Sequence, residues 1–251
     1  MTLSEKPEKT GEHSKAGTLY GIGVGPGDPD LITVMATKIL GEVEEIFTAS
    51  SSANEDSLAA KIASPYIKPG AKTTKLSFPM TSDRKLLESA WDENAAIVAK
   101  CLNAGRSAAF LTLGDCLTYS TYSYLLRHLY RLSPEAKVVS IPGVTSYQLA
   151  AAKLNRPLVI GRETLAILGG SAQDSELDFL SQKFDNLVLL KSYRDTNVMI
   201  DKLKSLGLAQ KSALCANLSL IGETIIDGLD GEVKVPESYF SLILVNTRDR
   251  D

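Results

Sequence analysis

Leu111-Thr-Leu-Gly-Asp-Cys116 and Ile141-Pro-Gly-Val-Thr-Ser146 decide how this chain is read. Each sits where an apolar, strand-like run gives way to a helix-like one. In an open parallel sheet, strand ends of this kind face one crevice, and ligands bind there. The first corner offers the carboxylate of Asp115. The second offers the hydroxyls of Thr145 and Ser146, together with free backbone N–H groups. That set suits a polar, hydroxyl-rich, weakly charged ligand better than a phosphate.

Outward from these corners, apolar runs and amphipathic stretches alternate. Strands are expected over Thr18–Val24, Glu44–Ala49, Ser107–Leu113 and Lys137–Ser140. Helices are expected from Asp28-Pro29 to Leu40, then over Ser57–Tyr66, Thr81–Ala104, Thr118–Leu132 and Val144–Ala152. Asp28 is a good cap, and Pro29 suits a first helical turn because it has no N–H to lose. A second series follows, with strands at Thr164–Leu168, Leu187–Lys191, Ser212–Ala216 and Phe240–Val245 and helices at Leu177–Lys183 and Thr196–Leu206. Strands alternating with helices of this length imply parallel sheets. The expected organisation is α/β: a tail over 1–17, one α/β domain over 18–153, a linker with Pro157 and Gly161 over 154–162, and a second α/β domain over 163–251. The tail is rich in Lys, Glu, Ser and Gly, which reads as disordered and not as a secretory signal.

Composition narrows the function. At 251 residues, with 44% apolar and 23% charged residues, the chain has the make-up of a globular protein with a sizeable core. A net charge of −3 gives no broad basic face, so nucleic acid is not indicated. The apolar runs fall well short of the ~20 residues that a membrane-spanning helix needs. Cys101, Cys116 and Cys215 are odd in number and far apart, with no Cys-x-x-Cys, which fits a reducing, cytoplasmic setting. With only His13 and His128, a His-rich metal site or a Ser-His-Asp triad is not supported.

Gly21-Ile-Gly-Val-Gly-Pro-Gly-Asp28 invites a dinucleotide reading, but Gly-x-Gly-x-x-Gly would require glycine at Pro26 or at Asp28. No acidic residue closes the second strand, and no Gly-Lys-Ser/Thr follows to make a phosphate loop. The loop therefore reads either as a tight strand–helix turn with a capped helix or as a ligand-lining loop. Asp115, Thr145 and Ser146 each have the same plain alternative, a helix cap. Tyr119, Tyr122 and Tyr124 form a near-helical stripe that is either partly core or a platform for a flat ligand. Lys75, Arg84, Arg162, Lys191 and Arg194 are scattered cations suited to carboxylates, each of which taken alone reads as a solvated surface charge.

Taken together, Tyr20-Gly-Ile-Gly-Val-Gly-Pro-Gly-Asp-Pro-Asp-Leu-Ile-Thr33, Leu113-Gly-Asp115 and Ile141-Pro-Gly-Val-Thr-Ser146 resemble the tetrapyrrole (corrin/porphyrin) methylases, from about Thr18 to the C-terminus. Phe110-Leu-Thr-Leu-Gly-Asp-Cys-Leu-Thr-Tyr-Ser-Thr-Tyr122 is similar to the branch that methylates C20 of precorrin-2 or cobalt-factor II, and 51–57 has the flavour of that branch. The resemblance implies two α/β domains with S-adenosylmethionine in the cleft between them, a tetrapyrrole substrate that brings any cobalt with it, and a homodimer. It also implies cofactor contacts at Pro26, Leu113, Gly114, Asp115, Thr118, Thr145 and Ser146, with Tyr193 and Ala216 on the adenine side. Asp28 is the candidate base for the proton lost after transfer, against its plain reading as a helix cap. The loop after strand one and the stretch 50–56 are candidate walls of the substrate trough. Where the family usually has proline after Gly-Asp, this chain has Cys116, which frees an N–H and relaxes the turn. Methylation at another ring position or of uroporphyrinogen, and a tetrapyrrole-binding protein without turnover, are the alternatives.

Overall fold

The computed structural model describes residues 16–51, 57–170 and 174–248. Most of the expected tail, and the core of the stretch 51–57, lie outside these residues.

The first sheet is built from β1 (Thr18–Gly23), β2 (Glu45–Ser50), β3 (Lys72–Ser77), β4 (Ala108–Thr112) and β5 (Lys137–Ile141). All five strands are parallel, in the order β3-β2-β4-β1-β5. The chain leaves β1 toward β2 on one side and leaves β4 toward β5 on the other. The adjacent ends of β1 and β4 are therefore a switch point, where a crevice opens. Side chains alternate between the two faces. Leu19, Phe47 and Phe110 meet α3 (Arg84–Asn103) and α4 (Tyr122–Leu132) through Trp91, Val98, Leu125 and Leu129. Ile22, Ile46 and Leu111 meet α1 (Val34–Leu40) and α2 (Leu58–Ala63) through Ala36, Leu40, Ala59 and Ile62.

The second sheet has the order β6-β7-β10-β8-β9, from β6 (Leu165–Gly169), β7 (Asn186–Leu190), β8 (Ser212–Ala216), β9 (Thr224–Asp227) and β10 (Ser241–Asn246). Here the expectation of parallel strands needs correction. Only β6 and β7 are parallel; β10 runs antiparallel to β7 and β8, and β8 antiparallel to β9. A parallel neighbour needs a long crossover, and no helix separates β8, β9 and β10. One face is covered by α6 (Asp174–Lys183) and α7 (Thr196–Ser205) through Leu177, Met199, Ile200 and Leu203. The other face, with Val188, Leu190, Cys215, Leu242 and Leu244, is covered by Leu149 and Ala150 of α5 (Ser146–Leu154). Thus α5 follows the first sheet in sequence but packs on the second, and it joins the two halves.

Two strands escaped the sequence reading. β3 is an edge strand, mostly exposed and polar, so it has no apolar run to find. β9 is a four-residue edge strand. The helix expected from Thr118 begins only at Tyr122, because Tyr119 takes a left-handed backbone with φ 50°. The helix expected from Asp28 is a single 3₁₀ turn over Pro29–Leu31, and α1 starts afresh behind its own cap, Thr33.

Candidate active site at the switch point

The ends of β1, β4 and β5 meet backbone against backbone. The Gly25 N–H donates to the Gly114 carbonyl at 3.1 Å, and the Gly114 N–H donates back to Gly25 at 2.8 Å. A Cβ on Gly143 would lie 2.2 Å from the Gly114 oxygen and 2.6 Å from the Gly23 oxygen. No side chain fits at that crossing, which is why Ile-Pro-Gly carries its glycine there.

Asp115 ties the two corners together. Its Oδ2 accepts from the Gly143 N–H at 3.1 Å. Its Oδ1 accepts from the Leu117 N–H at 2.9 Å and from the Thr118 hydroxyl at 3.1 Å. Cys116 makes a second tie, its thiol donating to the Ile141 carbonyl at 3.3 Å. Burial pushes that thiol up to about 11, so it stays protonated and able to donate. Thr145 caps α5 in a full capping box: its Oγ1 accepts from the Gln148 N–H at 3.3 Å, and the Gln148 Oε1 accepts from the Thr145 N–H at 3.0 Å.

A cleft of about 300 Å³ opens above these corners. Pro26, Leu113, Gly114, Asp115, Thr118, Thr145 and Ser146 line it together. Three of the predicted residues stand elsewhere. Ala216 is buried at the end of β8, opposite Ser241, which does line the cleft. Tyr193 lies behind the wall, its ring 5.3 Å from that of Tyr239. Asp28 is outside the lining, and its Oδ1 accepts from the Asp30 N–H at 2.9 Å as cap of the 3₁₀ turn. The tyrosine stripe divides three ways. Tyr122 is core, Tyr124 stacks on Trp91 at 4.4 Å, and Tyr119 lines the cleft.

The facing wall comes from the second sheet: Leu190 and Lys191 at the end of β7, Leu218 after β8, and Tyr239, Phe240 and Leu242 around the start of β10. Only Lys191 was singled out from the sequence, as one of several cations. The others sit in no motif, and their one signal is an aromatic pair before a strand. Tyr119 spans the two walls, its hydroxyl donating to the Ile167 carbonyl at 2.8 Å. Its ring lies on Gly169, where a Cβ would come within 2.6 Å of it. Among the described residues there is no cluster of three or more His, Cys, Asp or Glu able to hold a metal, and no helix long and apolar enough to cross a membrane.

The pattern described as Tetrapyrrole (Corrin/Porphyrin) Methylases matches residues 18–234. The chain belongs to this family. A tetrapyrrole methylase fold accounts for both sheets. Among its relatives, a cobalt-precorrin-2 C(20)-methyltransferase of Salmonella typhimurium is 35% identical over 92% of this chain and 96% of its own length. A probable cobalt-precorrin-2 C(20)-methyltransferase of Methanocaldococcus jannaschii is 32% identical over 90% and 95%. The fold is shared with the uroporphyrin-III C-methyl transferase of Thermus thermophilus solved with S-adenyl homocysteine, at a TM-score of 0.63, 20% identity and 92% coverage of both chains.

Proposed function

We propose that this tetrapyrrole methylase transfers a methyl group from S-adenosylmethionine to C20 of cobalt-precorrin-2 or precorrin-2. The single observation that carries the reading is the convergence of the Gly114–Asp115 and Thr145–Ser146 corners on one cleft whose far wall is apolar and aromatic. The full-length likeness to a cobalt-precorrin-2 C(20)-methyltransferase favours C20 over other ring positions and over uroporphyrinogen.

The lining suits an amphiphilic nucleoside. Leu190, Leu218, Leu242 and Phe240 offer apolar surface to a flat base, and Thr118 and Ser146 offer hydroxyls to a ribose. The donor supplies a methyl on a sulfonium leaving group, so the chain need not activate it. The chain's part is alignment, with the reacting atoms held about 3–3.5 Å apart and in line. Asp115 does this indirectly, by fixing the Gly143 backbone against Gly114. Tyr119 closes one side of the cleft by bridging its walls. Asp28 is assigned the cap and not the base, since it stands outside the cleft. Tyr193 and Ala216 act from behind the wall, through Tyr239 and Ser241.

The same proposal includes two domains, 18–153 and 163–251 joined by 154–162, with α5 at the end of the first packed on the sheet of the second, a cytoplasmic homodimer, and cobalt carried by the substrate alone. Anaerobic incubation with S-adenosylmethionine and each of the two tetrapyrroles tests it, with mass spectrometry and NMR of the product. Gain of a single methyl at C20 is expected. No gain on either substrate, or a methyl at another carbon, overturns it. Light scattering reads the assembly.

A further inference from the structure

Among the described side chains, the cleft lining carries one cation and one carboxylate, and they are not paired with each other. Asp115 is engaged by the Gly143 and Leu117 N–H groups and the Thr118 hydroxyl. The cation is Lys191. Of the sequence's scattered cations, Arg84 and Arg162 are exposed and, like Lys75 on the edge strand β3, do not line the cleft, while the side chain of Arg194 lies outside the described ones.

Lys191 is also set in place by its backbone. It follows β7 in a left-handed conformation, φ 56° and ψ 40°, which few residues other than glycine and asparagine adopt. Its N–H donates to the Ser241 carbonyl at 2.9 Å, which pins the turn to β10. Strain of this kind at a cleft is a pointer to function. The ammonium stands 5.8 Å from the centroid of the Tyr239 ring. That ring is buttressed by Tyr193 at 5.3 Å and Phe240 at 5.4 Å. A ring face steers an ammonium without neutralising it. Among the described residues no carboxylate pairs with this half-buried lysine, so an apolar wall leaves its charge without the partner that would offset lost hydration.

We propose that Lys191 is the carboxylate-binding residue of the cleft. The inference rests on the methyl-transfer reading, under which both ligands carry carboxylates: the donor on its amino-acid tail, the tetrapyrrole on its rim. A single point-charge donor suits one carboxylate.

The test uses Lys191→Met and, as the charge-keeping control, Lys191→Arg, in the full chain. Calorimetry with S-adenosylhomocysteine and with 5′-methylthioadenosine, which lacks the amino-acid tail, reads the donor. A stable polycarboxylated tetrapyrrole, uroporphyrin, followed by fluorescence quenching, reads the substrate side without requiring turnover. If the donor tail is the partner, Lys191→Met weakens S-adenosylhomocysteine about tenfold and leaves methylthioadenosine unchanged. If the substrate rim is the partner, uroporphyrin affinity falls about tenfold while both nucleosides hold. Recovery in Lys191→Arg supports either assignment. Unchanged affinity for all three probes in a folded Lys191→Met protein overturns the proposal. Should Lys191→Met fail to fold, Lys191→Gln takes its place. Because every readout is binding, failure of C20 methylation and failure of the Lys191 assignment are told apart.

Discussion

The two walls of the cleft are built in opposite ways. On the first-sheet side, strand ends touch through bare backbone, with Gly143 wedged between Gly23 and Gly114. On the second-sheet side, Leu190, Lys191, Leu218, Tyr239 and Phe240 reach out as side chains from strand ends and loops. A wall of touching backbone admits one arrangement and tolerates no added atom. A wall of side chains can be remade residue by residue without moving the strands behind it. The first is suited to holding a fixed geometry, the second to choosing what is held.

The sharpest way to break this contrast is Gly143→Ala. The new Cβ would meet the Gly114 and Gly23 oxygens, which belong to backbone and cannot swing away. A loss of about 3 kcal/mol in urea unfolding is expected, from the forced separation of packed strand ends. Calorimetry should show S-adenosylhomocysteine binding largely lost with it. Near-normal stability and affinity would mean that the first wall is no more rigid than the second.

Asp115→Ala comes next. It leaves the Gly143 and Leu117 N–H groups and the Thr118 hydroxyl without their acceptor. With these donors exposed or only partly buried, water takes over part of the acceptor's place and the loss is expected at about 1 kcal/mol. A slackened corner should weaken S-adenosylhomocysteine about tenfold, and Asp115→Asn, which keeps one acceptor oxygen, should fall between. An unchanged donor affinity would detach Asp115 from the site.

The smallest effect is expected where the walls meet. In Gly169→Ala the Cβ would press on the Tyr119 ring, part of a side chain held at its far end only by the hydroxyl bond to Ile167. Stability should change by less than about 1 kcal/mol, because the ring can move aside. The hydroxyl bond to Ile167 would go with it. Tyr119→Phe should therefore reproduce most of any rise in KM, and the double variant should add little. Additive effects would show that ring and hydroxyl act separately.

The unequal legibility of the two walls has the same cause. Gly114-Asp115 and Ile-Pro-Gly-Val-Thr-Ser stood out in the sequence because backbone contact and helix capping demand particular residue types at fixed offsets. The apolar strands β4, β7, β8 and β10 were equally plain, since burial on both faces leaves mostly apolar runs. The edge strands β3 and β9 gave no such signal. Tyr119 read as part of a helical stripe, and only its left-handed backbone took it out of the helix and across the cleft. Tyr239 and Phe240 obey no spacing rule, because a side-chain wall needs bulk in roughly the right place and little else.

By itself the sequence determined the alternation of strands and helices and the two polar corners in the first half of the chain. These follow from local periodicity and from glycine and capping chemistry, which act over a few residues. Tertiary structure alone decided that the second sheet is mainly antiparallel, that α5 packs across to it, that the two polar corners meet over one cleft, and that Lys191 stands in that cleft while Lys75, Arg84 and Arg162 do not. Those outcomes depend on which distant strand ends are brought side by side, and no local pattern of residues encodes that distance.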